Sequence, residues 1–309
     1  LSIPAIEIID RIDWELSQLE FLGDAFPYVN FDTFGPGILG AFLGAELDNS
    51  SGRVWFHPPE DLEIGDLHFE FDESNIWFRR IIEVYEAAIE YWGDSVVIGL
   101  PDLGGPADIL STFRPGDKLL YDLYDHPSEV KRLIDEIHDL WFEAYNRLHQ
   151  LLERRTQGFT DWSGIFQSEP GYMVQCDFCY MIGPEMFDEF IKPDLQRTFR
   201  RLPQNFYHLD GVGQLPHLDS LLEISELRGI QWVPGAGQPE HDQWPEVYER
   251  IAEADKLIQI YGGIEALERA ALTTDFAYRF HMHQTNRSKI YTRDEIGTLK
   301  RRFEKIFRS

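Results

Sequence analysis

Apolar positions recur along this chain with two different spacings. Over residues 77–92 and 127–155 bulky side chains return every three or four positions, as in helices with one buried face. Short, largely apolar runs lie at 95–100, 171–176, 205–209, 230–233, 256–261 and 276–283, each too short for a helix of ordinary length. Such runs, most of them bounded by glycine or proline, read as buried strands. Further helices are predicted at 3–21, 38–43, 108–113, 117–124, 185–201, 244–254, 264–272 and 293–307. A strand is predicted at 26–34, and the stretch 50–71 suits a hairpin or small lid.

The region 204–239 organises the rest. A strand ends in His208-Leu209-Asp210-Gly211, and leucine and isoleucine spacing predicts a helix over 214–227. Gly229 reads as the stop of that helix, and a second strand ends at Pro234-Gly235-Ala236-Gly237. Strand, helix and strand in this length make a βαβ unit, which demands parallel strands. Six to eight strands alternating with helices, without repeats or low-complexity linkers, favour a closed (β/α)8 TIM barrel over an open sheet. The expected organisation is an α/β fold in one barrel domain over 1–309, with helical and hairpin additions over about 1–75.

Composition narrows the partners. A formal charge of −26, from 54 acidic against 28 basic residues, argues against nucleic acid and against anionic membrane surfaces. No apolar run spans a bilayer, and the first residues lack the basic and apolar regions of a signal peptide, so a cytoplasmic protein is expected. The sequence begins at Leu1 rather than Met, leaving room for a native segment ahead of it. Two cysteines, Cys176 and Cys179, make no disulfide framework. No G-x-G-x-x-G or P-loop follows an early strand, which weakens nucleotide readings.

In parallel α/β folds the chemistry collects where strands end, so polar residues at those ends are the candidates. His208 and Asp210 share one face of an extended backbone. Together they suit a metal pair, or a base and its partner; alternatively His208 is a buried histidine and Asp210 caps the next helix. Asp177 and Asp102 follow two other strands and join them as catalytic candidates, with a turn residue satisfying its own loop's N–H groups as the plainer reading of Asp102. Cys176 is a further ligand candidate, with a pair of buried thiols as the plainer reading of C-x-x-C. His281 and His283 share a strand face and supply candidate third ligands. Tyr28, Asn30, Gln175, Gln214, Gly235 and Gln238 are candidate substrate contacts, with core packing and turn formation as their alternatives.

Several of these segments resemble the uroporphyrinogen decarboxylase superfamily. Gly105-Pro106, then Asp117-Lys118-Leu119-Leu120-Tyr121-Asp122-Leu123-Tyr124-Asp125-His126-Pro127, is similar to that family's middle segment. Gly183-Pro184-Glu185-Met186-Phe187-Asp188-Glu189-Phe190, ending at Pro193, resembles its next signature, and His208-Leu209-Asp210-Gly211 its His-x-Asp-Gly or His-x-Cys-Gly strand end. The resemblance runs from about Pro27 onward and implies a (β/α)8 barrel. The superfamily includes the haem-pathway decarboxylase and corrinoid-dependent methyltransferases, so the resemblance alone does not choose the reaction.

The decarboxylase needs an arginine-rich N-terminal segment to hold a polycarboxylate, and here Arg11 is the only arginine between Leu1 and Asn30. The place of that enzyme's tyrosine falls at about Thr112, and the place of its serine near Asp177. Uroporphyrinogen itself is therefore not the expected substrate. The methyltransferases hold zinc through the histidine and cysteine of His-x-Cys plus a later cysteine; here Asp210 stands for the first cysteine, and none follows Cys179. The resemblance thus implies methyl transfer involving a small molecule, with a corrinoid protein as donor and zinc or another divalent ion. A metal-free decarboxylase or other lyase is the alternative, and a non-catalytic binding barrel a third. A homodimer is compatible with each.

Overall fold

The computed structural model describes residues 2–153, 158–273, 280–282 and 290–308. Its strands, in chain order, are β1 (Tyr28–Val29), β2 (Glu46–Asp48), β3 (Trp55–His57), β4 (Val97–Ile98), β5 (Gly171–Gln175), β6 (Gln204–Asp210), β7 (Gly229–Val233), β8 (Leu257–Ile260) and β9 (Phe280–Met282). The helices are α1 (Ala5–Ser17), α2 (Leu39–Phe42), α3 (Ile76–Trp92), α4 (Pro106–Phe113), α5 (Lys118–Asp125), α6 (Pro127–Glu153), α7 (Pro184–Met186), α8 (Lys192–Arg201), α9 (Leu218–Leu222), α10 (Pro245–Glu253), α11 (Gly263–Thr273) and α12 (Arg293–Arg308). Among the described residues no helix is long and apolar enough to cross a membrane.

The long periodic segments form as their spacing requires. In α3, Phe78, Ile81, Val84, Tyr85, Ala88 and Trp92 are buried on one face. Asn75 caps its start, its Oδ1 accepting from the backbone N–H groups of Trp77 at 2.9 Å and Phe78 at 3.2 Å. In α6, Val130, Leu133, Ile137, Trp141, Tyr145, Leu148 and Leu152 make a similar stripe over 27 residues.

Strands β5 to β9 form one parallel sheet in chain order. β1 and β4 form a separate parallel pair, and β2 pairs with β3 in a hairpin that begins ahead of the stretch 50–71 where one was expected; within that stretch only β3 is a strand, and residues 67–71 form none. A parallel bridge from Leu100 to Asp161 extends the β1–β4 pair toward β5. There the ladder continues through a side chain: the Asp161 carboxylate accepts from the Met173 backbone N–H at 2.6 Å. The fold is therefore mixed α/β around a parallel sheet. Among the described residues no strand pairing joins β9 to β1, so the expected closed (β/α)8 barrel is not established by these pairings.

The helix expected over 214–227 is replaced by a 3-10 turn, Val212–His217, and the short α9. Pro216 lies inside that turn, and with no N–H to donate it denies an α-helix one of its bonds. Gly229, expected as a helix stop, instead begins β7. A Cβ there would lie 2.2 Å from the Phe206 ring, so only glycine lets the two strands pack as they do. The helix expected over 185–201 is divided by a π-turn at Phe187–Ile191, just ahead of Pro193, whose missing N–H explains the change of bonding.

The sheet separates two apolar regions. The large one lies between strands and helices and includes Tyr172, Tyr207, Leu209, Ile230 and Trp232. The small one, Ile165, Met173 and Phe206 with Trp162 against it, lies on the other face. Side chains alternate along a strand, so His208 and Asp210 share the face of Phe206.

Candidate functional site

Register makes the site. Gln175 of β5, His208 of β6, Gln231 of β7, Gln259 of β8 and His281 of β9 are successive partners across the sheet, a polar row one layer above Met173 and Phe206. Asp210 lies one layer further toward the C-terminal edge, opposite Val233. Asp177 opens the 3-10 turn that follows β5.

One donor atom each from Asp177, His208 and Asp210 lies within 4.8 Å of the other two. The closest defined approach is His208 Nε2 to Asp210 Oδ2, 3.9 Å. Gly211, at φ 84°, then turns the chain away, and the Tyr180 ring occupies the space where a Cβ would project. Trp162 meets His208 edge to face at 5.3 Å between centroids. Its indole N–H donates to the Met173 carbonyl at 3.2 Å, and its own carbonyl accepts from Asn30 Nδ2 at 3.4 Å. Asn30 thus supports the residue that holds one face of the imidazole.

Two more carboxylates stand behind this group. Asp102 Oδ1 accepts from the Gly104 backbone N–H at 2.8 Å. Asp108, in the first turn of α4, accepts from the Phe178 N–H at 2.7 Å and the Gly105 N–H at 3.3 Å, tying that helix to the turn carrying Asp177. Burial pushes Asp102 up to about 7; Gly104's hydrogen bond opposes this and the charge of Asp177 adds to it. Burial, then Asp177, push Asp108 up to about 7 as well, against the N–H bonds it accepts. Asp177 reaches solvent, yet the strand ends around it displace enough water that desolvation still raises its carboxyl; His208 pulls it down and Asp210 pushes it up.

The raised carboxyls predict an unusual pH dependence for the metal-free protein. Between about pH 4, where a free carboxyl ionises, and about 7, the native chain keeps protons that the unfolded chain has released. Stability from these groups is therefore fully present below that window and falls as pH rises through it, by at most about 1.4 kcal/mol per pH unit for each group. Asp108→Asn should flatten that fall, measured as urea midpoints across the window. An unchanged slope would show that Asp108 holds no such proton.

The remaining candidates are placed less directly. Gln175 is buried in the row beside His208. Tyr28 is half-buried in β1, beside Phe26. Gly235 is half-buried, its φ of 95° bringing its loop against Gly211. Gln238 is exposed, its backbone N–H closing a turn onto the Gly235 carbonyl. Gln214, expected as a substrate contact, is buried and accepts from the Tyr207 hydroxyl, on the opposite face of β6 from His208. Cys176 is buried beside Cys179, and burial, then Cys179, push its thiol well up, a poor state for a metal donor. His281 lies three strands from β6, about 14 Å at the usual interstrand spacing. His283 lies outside the described residues.

Sequence reasoning missed Asp108, Trp162, Gln231 and Gln259. For the two glutamines a signal was present: each sits inside an apolar strand run, Gly229–Val233 and Leu257–Ile260, where a buried amide needs partners.

No family model and no curated protein matches this chain. Among solved structures it is similar to a methyltransferase from Methanosarcina mazei, with a TM-score of 0.61, 13% sequence identity, and coverage of 98% of this chain and 86% of that one. At this identity the likeness establishes a shared fold.

Proposed function

We propose that this protein is an enzyme of methyl transfer, acting on a small molecule at the C-terminal edge of β5 to β7. The observation that carries the reading is the convergence of Asp177, His208 and Asp210 on one point of that edge. The methyltransferase structure with the same fold supports it, as does the sequence resemblance to the uroporphyrinogen decarboxylase superfamily and its barrel.

The donor set fits a divalent cation in kind. A neutral imidazole and two carboxylates suit zinc or a harder ion. Ligand bonds of about 2.0–2.2 Å keep any two donors within about 4.4 Å, a span that the 3.9 Å between His208 Nε2 and Asp210 Oδ2 already meets. Asp177 is the member of the group open to solvent. A cation there would polarise an acceptor oxygen or lower the pKa of an acceptor thiol. In the transfer the acceptor loses its proton, a bond to methyl carbon forms, and the donor–methyl bond breaks. A corrinoid protein docked over this edge is the proposed donor, and Asp102 or Asp108 the local proton store.

Titration of chelator-treated protein with zinc tests the reading. One zinc per chain is expected, with binding abolished in Asp177→Asn/Asp210→Asn. Wild type that binds no divalent cation would overturn it. A metal-independent lyase is then favoured, because two carboxyls at about 7 are poised to deliver a proton to a carbanion at neutral pH. Trapping carbon dioxide released from candidate acids would test that second reading.

A further inference from the structure

The polar row across the sheet has a direction. Gln259 Nε2 donates to the Ser163 backbone carbonyl at 3.0 Å, and a carbonyl only accepts. That fixes the Gln259 amide, because its flipped form would set two acceptors against each other. Gln259 Oε1 must then accept, and it does so from Gln231 Nε2, which also bonds the Tyr261 hydroxyl at 2.9 Å. Gln231 Oε1 is therefore left facing His208 Nδ1 in a direct hydrogen bond. An amide oxygen has no proton to give, so Nδ1 must carry one. In the neutral ring the lone pair is then on Nε2, the atom turned toward Asp210.

We infer that Gln231 and Gln259 are positioning residues, a relay anchored at the Ser163 carbonyl that locks His208 in its Nδ1–H tautomer and presents Nε2 to the carboxylates. Both glutamines are fully buried, and with His208 they link three neighbouring strands, so neither amide can turn alone without leaving a buried polar group unpaired. The same relay ends at His281, whose Nδ1 lies 3.4 Å from Gln259 Nε2 and accepts from its second N–H. His281 thus serves the far end of the row. Its use in presenting a metal-binding nitrogen rests on the proposed function; the tautomer itself does not.

The direct test is long-range 1H–15N correlation of the imidazoles in 15N-labelled, metal-free protein, at a pH where His208 is neutral, with His208→Gln supplying the assignment. Wild type should show His208 as a single tautomer, protonated at Nδ1 and bare at Nε2. Gln231→Met, close in volume but without an acceptor, should give a mixture. Gln231→Glu, which keeps an acceptor, should restore the single form. Gln259→Met should shift the populations less, because Tyr261 still engages Gln231. A wild-type His208 protonated at Nε2, or a Gln231→Met spectrum equal to wild type, overturns the relay. Should Gln231→Met fail to fold, the wild-type tautomer alone decides. Zinc affinity is read in parallel and should drop about 10- to 100-fold in Gln231→Met, the usual cost of removing a partner behind a metal ligand. A confirmed tautomer with no zinc binding in wild type would leave the relay standing and remove the metal reading.

Discussion

His208→Ala is expected to weaken zinc binding by more than about 100-fold, because losing even a residue behind a ligand costs about 10- to 100-fold and here a donor itself is gone. His208 is the only nitrogen in the converging group; the other two donors are carboxylates. Without it, two carboxylates at the mouth retain the charge to attract a cation but lack the softer, neutral ligand that suits zinc. The measurement is isothermal titration with zinc, checked by thermal unfolding. Zinc at about 100 times its Kd adds about 2.7 kcal/mol of stability to a protein that binds it only when folded. That increment should disappear in His208→Ala. Asp210→Asn should weaken binding less, since the amide keeps an oxygen at the site. Equal zinc affinity in wild type and His208→Ala would move the ion elsewhere and break the proposed mechanism.

Asp122→Ala is expected to destabilise the fold by about 3–5 kcal/mol, the cost of stripping one partner from a buried ion pair. Arg114 and Asp122 are both buried and meet as a fork, Nε to Oδ2 at 2.6 Å and Nη2 to Oδ1 at 3.0 Å. The third guanidinium bond goes to the Leu62 carbonyl at 2.7 Å, fastening the stretch that follows the hairpin onto α4 and α5. Removing the carboxylate leaves a buried cation that nothing else nearby neutralises as well. The double variant Arg114→Met/Asp122→Leu should recover much of the loss, because an apolar pair of similar volume often matches a buried ion pair. Chemical denaturation of the three proteins checks this. A single variant as stable as wild type would show that water reaches the guanidinium. The double variant should also keep its zinc affinity, since the pair lies at the far end of α4 from Asp108. Asp122 belongs to the segment 117–127 that carries part of the family resemblance, and its role here is structural.

The metal experiments and the tautomer experiment probe different layers of one site. Gln231 and Gln259 lie within the sheet, whereas Asp210 stands at its C-terminal edge and Asp177 just past it. The carboxyls of Asp102 and Asp108 lie behind them, held near neutrality by burial and by the charge of Asp177. A cation bound at Asp177 would reverse that last influence and pull both carboxyls down. Metal binding and proton storage would then be coupled at this edge.

Periodicity by itself determined α3, α6 and the run of parallel strands, because an amphipathic stripe or a short apolar run has few ways to bury itself. It also brought out His208 and Asp210, since alternation along one strand is local geometry. What it could not decide depended on neighbours far along the chain. Pro216 overruled the leucine spacing of 214–227, and Phe206 rather than a helix end explains Gly229. Gln231 and Gln259 became meaningful only when register laid them beside His208, and Asp177, already a catalytic candidate, became a possible metal donor only when β5 paired with β6. The physical reason is range. A side chain's secondary structure is set mainly by residues within a few positions, whereas a donor set, a tautomer or a shifted carboxyl is set by groups that only the folded sheet brings within a few ångströms.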